Sequence, residues 1–596
     1  MSRTALLLID LQEDYLARPG LQPPRAQLIA AIAADLAKAR AAGDAIFHVR
    51  TGGAGAMPHR DAPPDPAPPL DLAEQPGEPV FIKRFFSAFD APGLDDALKA
   101  AGITRLRLAG LHAHACIHTT ALDAYAKGYA VEIDEALIAS DQPAFAAQSL
   151  RWLDRRAATI VTSTAASFQH RDPCDQDRIL DDVPLATADD VHAAIGGLRA
   201  PILPLEERAA RLGSLHDHLS RHRSAMVDAL IASVAKPRRD AEGEVAYGLA
   251  LLDHVATTLI PDQGDVAYRP IGCAGLITPW NNPFAIPLGK LAPAIGYGNS
   301  VVWKPALQGT TVARLLAAAF AEVGLAENLA LITGGPATGR AMIESEALDL
   351  LSFTGSVPAG RAIIAAAGHQ ALPLQAELGG CNAAFVDTSA DLAAAAADLA
   401  AAMFSFSGQR CTAIRRVIVH AEISSAFTDQ LIAAVSALKL GDPRHSDTQI
   451  GPVIDRAAQQ RFLALGVAAA TGLPAEGCWL APTLLRDLPA DHALLNEEVF
   501  GPLAAIQVAR DLDHALHLHN ATSYGLVGAI FTTEMESERR FLAEVQAGML
   551  SINRARPAFS PAGPFVGWKA SAFGAPEHGR WNRDTYTRPQ AIYRAD

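Results

Sequence analysis

Short apolar runs alternate with amphipathic stretches through the first 165 residues. The runs Ala5–Ile9, Ala45–Val49, Val80–Ile82, Arg105–Ala109, Ala130–Ile133 and Thr159–Val161 have strand length and strand composition. Between them, apolar positions recur at helical spacing near 24–42, 92–101, 116–128 and 143–156. Strand–helix alternation of this kind predicts an α/β fold with a parallel sheet covered on both faces. The proline-rich stretch PHRDAPPDPAPPLDLAEQPGEP (58–79) predicts a loop, and loops above such sheets carry sites.

From 166 to 183 the chain is polar and shows no period, so it is read as a linker. A second α/β body then runs to the C-terminus. It opens on helical segments (ATADDVHAAIGGL, then EERAARLGSLHDHLSRHRSAMVDALIASVA) and continues with strands and turns from Tyr268 onward. At 596 residues the chain is too long for a single core, and about three or four domains are expected.

The net charge of −14 argues against a nucleic-acid or anionic-membrane partner, because polyanions repel it. The N-terminal MSRTALLLIDLQEDY has an apolar run that is too short for a signal peptide and ends on an acid. No apolar stretch reaches the roughly 20 residues of a membrane span. Six scattered cysteines (116, 174, 273, 381, 411 and 478) form no CxxC, which argues against a disulfide framework or zinc site and fits a reducing cytoplasm better.

Two of those cysteines sit in nucleophile settings. Cys116, in GLHAHACIHTTALDAYAKGY, follows the strand ending at Ala109 and opens a helix. Asp10 ends LLLID and Lys83 ends VFIK, so three chemically useful residues stand at strand ends, where open parallel sheets hold ligands. A helix N-terminus and a nearby ammonium both lower a thiol pKa, and a carboxylate can shuttle the thiol proton to a leaving group. Taken singly, Asp10 reads equally well as a cap, Lys83 as a surface charge and Cys116 as a small buried hydrophobe. Together, all at strand ends, they read as a site.

The segments LLLIDLQEDY, KRFFSAF and GLHAHACIHTTALDAYAKGY resemble the isochorismatase-like cysteine hydrolases over residues 1–165. The resemblance implies that Asp10, Lys83 and Cys116 form the catalytic set, with hydrolysis of an amide, enamide or carbamoyl bond through a thioester. It implies the amides of Ala115 and Cys116 as the oxyanion hole, and His114 as a substrate contact or a structural residue. His48, His59 and His112 are too scattered for a metal site, and none is expected.

Further along, ITPWNNP, VVWKPA, FTGSVPAG, AELGG, GQRCTA, NEEVFGP and PFVGWKAS occur in that order and resemble the aldehyde dehydrogenase superfamily from about 184 to the end. The resemblance implies a two-lobed body. Its dinucleotide domain of Rossmann type falls on 184–377, its α/β catalytic domain on 378–550, and a C-terminal return with an oligomerisation strand on 551–596. It assigns Cys411 as nucleophile, Asn281 as oxyanion donor and Glu377 as the base for deacylation. For the cofactor it assigns Trp280, Lys304, Gly355, Ser356, Gly360, Glu498 and Phe500. The GxxxxG turn into a helix can hold a pyrophosphate on its amides.

Three departures matter. Leu307 stands where NAD-preferring relatives carry a ribose-binding glutamate, which admits NADP while NAD is kept slightly ahead. Asn282 and Ser407 replace commoner apolar or larger residues and suggest a polar substrate. The segment TTLIPDQGDVAYRP is brief for a subunit-bridging hairpin, although RDTYTRPQAIY keeps a homodimer or higher homo-oligomer in view. The expectation is a cytoplasmic bifunctional enzyme acting on small-molecule amide and aldehyde substrates. The competing reading makes 1–165 a non-catalytic binding or assembly module on a dehydrogenase.

Overall fold

The computed structural model describes residues 3–52, 68–154, 156–161, 167–198, 202–261 and 264–594. The chain divides into two compact units, Met1–Ala165 and Ala166–Asp596.

In the first unit six strands form one sheet: β1 Thr4–Ile9, β2 Ala45–Thr51, β3 Val80–Lys83, β4 Arg105–Leu111, β5 Ala130–Ala139 and β6 Thr159–Val161. Their order is 3-2-1-4-5-6, and every pairing is parallel. The unbroken apolar run of β1 has a physical cause, because side chains alternate between faces and both faces are covered. Ala5, Leu7 and Ile9 join one core with Leu106 and Leu108, while Leu6 and Leu8 join the other with Leu28, Ile32 and Leu36 of the helix Arg25–Ala42. The expected loop at 58–79 lies partly outside the described residues, as does His59. The remainder holds a short 3-10 turn, Leu70–Leu72, before β3.

The second unit begins with an antiparallel ribbon, β7 Ser167–Asp172 and β8 Asp175–Pro184. This corrects the reading of 166–183 as an aperiodic linker. Only His170 and Val183 of the two strands are buried, so the ribbon has no apolar face for a period to reveal. Its signal lies in the turn, where Asp172 Oδ1 accepts the amide of Cys174 at 2.8 Å.

Next, β9 Val266–Pro270 precedes β10 Cys273–Thr278, β11 Ser300–Pro305, β12 Leu329–Leu331, β13 Leu350–Thr354 and β14 Leu374–Glu377. The last five make a parallel sheet in the order 12-11-10-13-14. The other lobe carries β15 Asn382–Val386, β16 Ile414–His420, β17 Thr483–Leu485, β18 Leu503–Ala509, β19 Tyr524–Gly525, β20 Val527–Phe531 and β21 Met549–Ile552. Without β19 these form a parallel sheet in the order 17-18-16-15-20-21.

The return segment supplies β22 Trp568–Lys569 against β19, and β23 Ala572–Phe573 antiparallel to β14. It ends in β24 Thr587–Ala591, antiparallel to β9 of the same chain. No helix of the described residues is long and apolar enough to cross a membrane.

Candidate active sites

In the first unit the carboxyl ends of four adjacent strands converge. Asp10 follows β1 with φ at 56°, Thr51 ends β2, Lys83 ends β3 and Cys116 lies beyond β4. The Lys83 ammonium sits 2.8 Å from Asp10 Oδ2, and it donates to Thr51 Oγ1 at 3.0 Å and to the Phe85 carbonyl at 2.9 Å. It approaches Cys116 Sγ at 3.4 Å. Thr51 in turn donates to Asp10 Oδ1 at 2.8 Å. Asp10, Lys83 and Cys116 are all buried. Gly110 allows β4 to make this approach: at φ 124° a side chain there would meet the Ile9 carbonyl oxygen at 1.9 Å.

The thiol is not acidic in the resting site, which corrects the expectation of a depressed pKa. Burial and the charge of Asp10 outweigh Lys83 and push Cys116 up to about 12. Burial pulls Lys83 down, but Asp10 and Cys116 overcome it and its pKa is raised. The arrangement is a protonated thiol beside a carboxylate able to receive its proton as the sulfur attacks.

Cys116 lies in a π-helical turn, Ala113–Ile117, that runs into the helix His118–Ala126. In that turn the amide of Ala115, expected as an oxyanion donor, donates instead to the carbonyl of His112 at 3.0 Å. His114 Nδ1 pairs with Ser140 Oγ at 2.6 Å. His112 is buried against Tyr15 and Asp141, and its pKa falls to about 4 mainly by desolvation. Among the described residues no group of three His, Cys, Asp or Glu side chains is arranged to hold a metal.

In the second unit a cleft of about 1000 Å³ opens beyond the carboxyl ends of β10, β11 and β13. Its walls include Trp280, Asn281, Lys304, Gly355, Ser356, Cys411, Glu498 and Phe500. Ser356 caps the helix Val357–His369. Gly360 lies one turn inside that helix, where a side chain would strike Leu378 Cδ2 at 2.4 Å.

Cys411 stands in the loop before β16. Burial, Glu498 and Glu377 raise its thiol to about 12. Asn281 Nδ2 points at this loop and donates to the Gln409 carbonyl at 3.2 Å. Glu377 ends β14, buried, with neither carboxylate oxygen hydrogen-bonded. Desolvation first and Glu577 second raise its pKa well above the usual carboxylate range.

The cleft fits a dinucleotide. Lys304 is a buried ammonium in its wall, and desolvation lowers it to about 8. Glu498 accepts the Gly380 amide at 3.3 Å, while burial raises its carboxyl to about 7. Trp280 meets the Phe500 ring edge-on at 5.7 Å. An ammonium and a carboxylate in the walls of one cleft suit ribose hydroxyls and phosphate.

Two polar residues read as substrate contacts serve the scaffold instead. Ser407 is buried and donates to the Gly451 carbonyl at 2.5 Å. Asn282 Oδ1 accepts from Lys236 Nζ at 2.7 Å. Lys236, fully buried, also donates to the Asn281 carbonyl at 2.6 Å and pairs closely with Glu244. Glu244 Oε1 accepts the amides of Phe284 and Ala285 at 2.9 and 3.1 Å. Thr51, Lys236 and Glu244 went unnoticed in the sequence.

The aldehyde dehydrogenase family model matches residues 160–592, and the isochorismatase domain model matches 4–165. The chain therefore belongs to the aldehyde dehydrogenase family and carries an isochorismatase domain ahead of it. It is 30% identical over 454 residues to alpha-ketoglutaric semialdehyde dehydrogenase of Bacillus subtilis, covering 71% of this chain and 93% of that one. It is also 30% identical over 449 residues to the peroxisomal aminoaldehyde dehydrogenase 2 of Malus domestica, covering 69% and 89%. The crystal structure of a Mycobacterium tuberculosis aldehyde dehydrogenase complexed with NAD+ superposes with a TM-score of 0.67 at 28% identity, covering 73% of this chain and 95% of that one. The protein is an aldehyde dehydrogenase using NAD(P).

Proposed function

We propose that the chain is a bifunctional catabolic enzyme, with Cys116 hydrolysing an amide-type bond and Cys411 oxidising an aldehyde to a free acid. The observation that carries the reading is the buried Asp10–Lys83–Cys116 cluster, with contacts of 2.8 and 3.4 Å. A domain kept only for assembly has no reason to bury a lysine, a carboxylate and a thiol in mutual contact, since each pays desolvation.

At the first site Cys116 Sγ attacks the carbonyl carbon while its proton passes to Asp10, with Lys83 holding that carboxylate. Collapse of the adduct breaks the C–N bond as Asp10 returns the proton to nitrogen. Water, deprotonated by Asp10, then cleaves the thioester. At the second site the Cys411 thiol loses its proton to water as its Sγ adds to the aldehyde carbon. The oxyanion lies toward Asn281 Nδ2 and the Cys411 amide. NAD(P)+ supplies the hydride acceptor when bound. Glu377, whose carboxylate oxygens are unpaired, takes a proton from the water that cleaves the thioester.

Two sites on one chain act as successive steps in one of two orders: hydrolysis of an enamide or N-acyl aminal type of linkage releases a group that collapses to an aldehyde, or an amide-bearing aldehyde is oxidised first and hydrolysed second. Carrying both sites on one chain raises the local concentration of such an intermediate above that of two separate enzymes.

The test is a pair of variants assayed separately. Cys116→Ala should abolish amide turnover and leave aldehyde oxidation intact, and Cys411→Ala should do the reverse. Amide turnover persisting in Cys116→Ala across a panel of amides refutes the hydrolase assignment and leaves the first unit as a binding or assembly module.

A further inference from the structure

Three consecutive residues shortly ahead of Cys411 lie in the left-handed region: Phe406 at φ 52°, Ser407 at 53° and Gly408 at 64°. Glycine adopts that conformation freely. A side chain makes it unfavourable, and a bulky aromatic one makes it exceptional. Such strain persists only where the surroundings over-determine the backbone.

Here they do. Ser407 is buried, and its hydroxyl donates to the Gly451 carbonyl at 2.5 Å. The Phe406 amide donates to the Gln449 carbonyl at 3.3 Å. Gln409 Nε2 donates to the Pro452 carbonyl at 3.3 Å, and Gln409 Oε1 accepts the Ile454 amide at 2.8 Å. All four anchors fall on residues 449–454. That segment is backed in turn by the Ala235 carbonyl, which a side chain on Gly451 would meet at 2.7 Å. The buried Phe406 ring lies 4.7 Å from Lys236 Nζ and meets the Trp280 ring edge-on at 6.2 Å.

The bend brings the Gln409 carbonyl to Asn281 Nδ2 at 3.2 Å, and Cys411 and Asn281 line the same cleft. The backbone of 406–409 therefore sets where the attacking sulfur stands relative to the oxyanion donor. A loop that merely connected helix to strand would have no reason to hold a Phe and a Ser left-handed beside a glycine. Local rules are broken where function needs the geometry.

We infer that Ser407 is a positioning residue of the aldehyde site, its hydroxyl fastening a strained turn that sets Cys411 Sγ against Asn281 Nδ2. It acts through the backbone. This rests on the reading of Cys411 as the aldehyde nucleophile and Asn281 as its oxyanion donor.

The experiment uses the full chain with NAD+ or NADP+ and the better of butanal and benzaldehyde. It follows the single-turnover rate of reduced dinucleotide formation per titrated Cys411. Ser407→Ala keeps the strain and loses the anchor, so that rate should fall at least about tenfold, with the dinucleotide KM within about twofold of wild type. Ser407→Gly also lacks the hydroxyl but takes the left-handed conformation freely, and should restore the rate to within about threefold of wild type. Gln409→Met loosens the same turn at its neighbouring anchor and should fall with the alanine variant. It carries the test if Ser407→Ala does not fold.

A purely structural Ser407 would lower the melting temperature in its variants and leave the rate per folded site at the wild-type value. That result, equal losses in the alanine and glycine variants, or an unchanged rate in Gln409→Met overturns the inference. Oxidation that survives Cys411→Ala refutes the nucleophile reading instead.

Discussion

Lys236 Nζ donates to the backbone carbonyl of Asn281 at 2.6 Å, so a buried ammonium fixes the residue whose side chain faces the Cys411 loop. Glu244 holds the same turn from the other side through two backbone amides. Lys236→Met would leave Glu244 uncompensated and should destabilise the dehydrogenase unit by about 3–5 kcal/mol, read as a shift in the denaturant midpoint. Asn281→Ala, which removes an oxyanion donor, should lower kcat by about 10²–10³-fold. If the clamp acts through Asn281, the double variant should be little slower than Asn281→Ala alone.

Asp10 both raises the Cys116 thiol pKa and receives its proton, and the two effects separate on substitution. Asp10→Asn removes the negative charge beside the sulfur, so the thiol should ionise at lower pH than the wild-type value of about 12. Amide turnover should nevertheless fall by about 10²–10⁴-fold for want of the base. Titration of thiolate absorbance alongside steady-state assays checks both directions. A variant with a more acidic thiol and undiminished turnover would remove Asp10 from the mechanism.

Much of the first site could be read from the sequence because Asp10 and Lys83 terminate apolar runs and Cys116 follows one. Thr51 could not, since its place between Asp10 and Lys83 depends on β2 lying between β1 and β3 in the sheet. Asn282 and Ser407 were misread for a related reason. A polar residue advertises a need for partners, yet the partners (Lys236 and the Gly451 carbonyl) lie some forty residues away in sequence. The acidity of Cys116 was misjudged because sequence shows which charges are near a thiol and not how deeply it is buried. At this site burial and Asp10 prevail over Lys83.

Glu498 should make dinucleotide binding depend on pH. Its carboxyl is raised to about 7, so it accepts ribose hydroxyls fully only above that pH. The KM for the dinucleotide should therefore rise as pH falls through neutrality, and Glu498→Gln should flatten that profile. Gly379→Ala offers an independent check, because its methyl would lie 2.0 Å from Glu498 Oε2 and must displace the carboxylate. The expected result is a higher dinucleotide KM, together with a faster Cys411 alkylation, because the displaced carboxylate raises that thiol less.

Leu307 is placed in a short turn directly after β11, three residues beyond Lys304. Leu307→Glu adds a carboxylate that would accept a ribose hydroxyl and repel a 2′-phosphate. The ratio of kcat/KM for NAD over NADP should rise by roughly tenfold, equivalent to about 1.4 kcal/mol. An unchanged ratio would mean that residue 307 does not face the ribose.

The ribbon of β7 and β8 has a practical bearing on where this polypeptide may be cut. Its turn is laced to a distant part of the dehydrogenase: the Cys478 amide donates to the Pro173 carbonyl at 2.9 Å and the Gln176 amide to the Glu476 carbonyl at 3.0 Å. Arg314 pairs with Asp181 at 2.5 Å along the second strand. A gene split at 165/166 severs no strand of either unit, whereas a split at 184/185 strips these partners from the dehydrogenase and leaves backbone groups bare. The two halves should thus be separable reagents at one junction and a damaged product at the other, a difference that melting temperatures of the excised pieces would reveal.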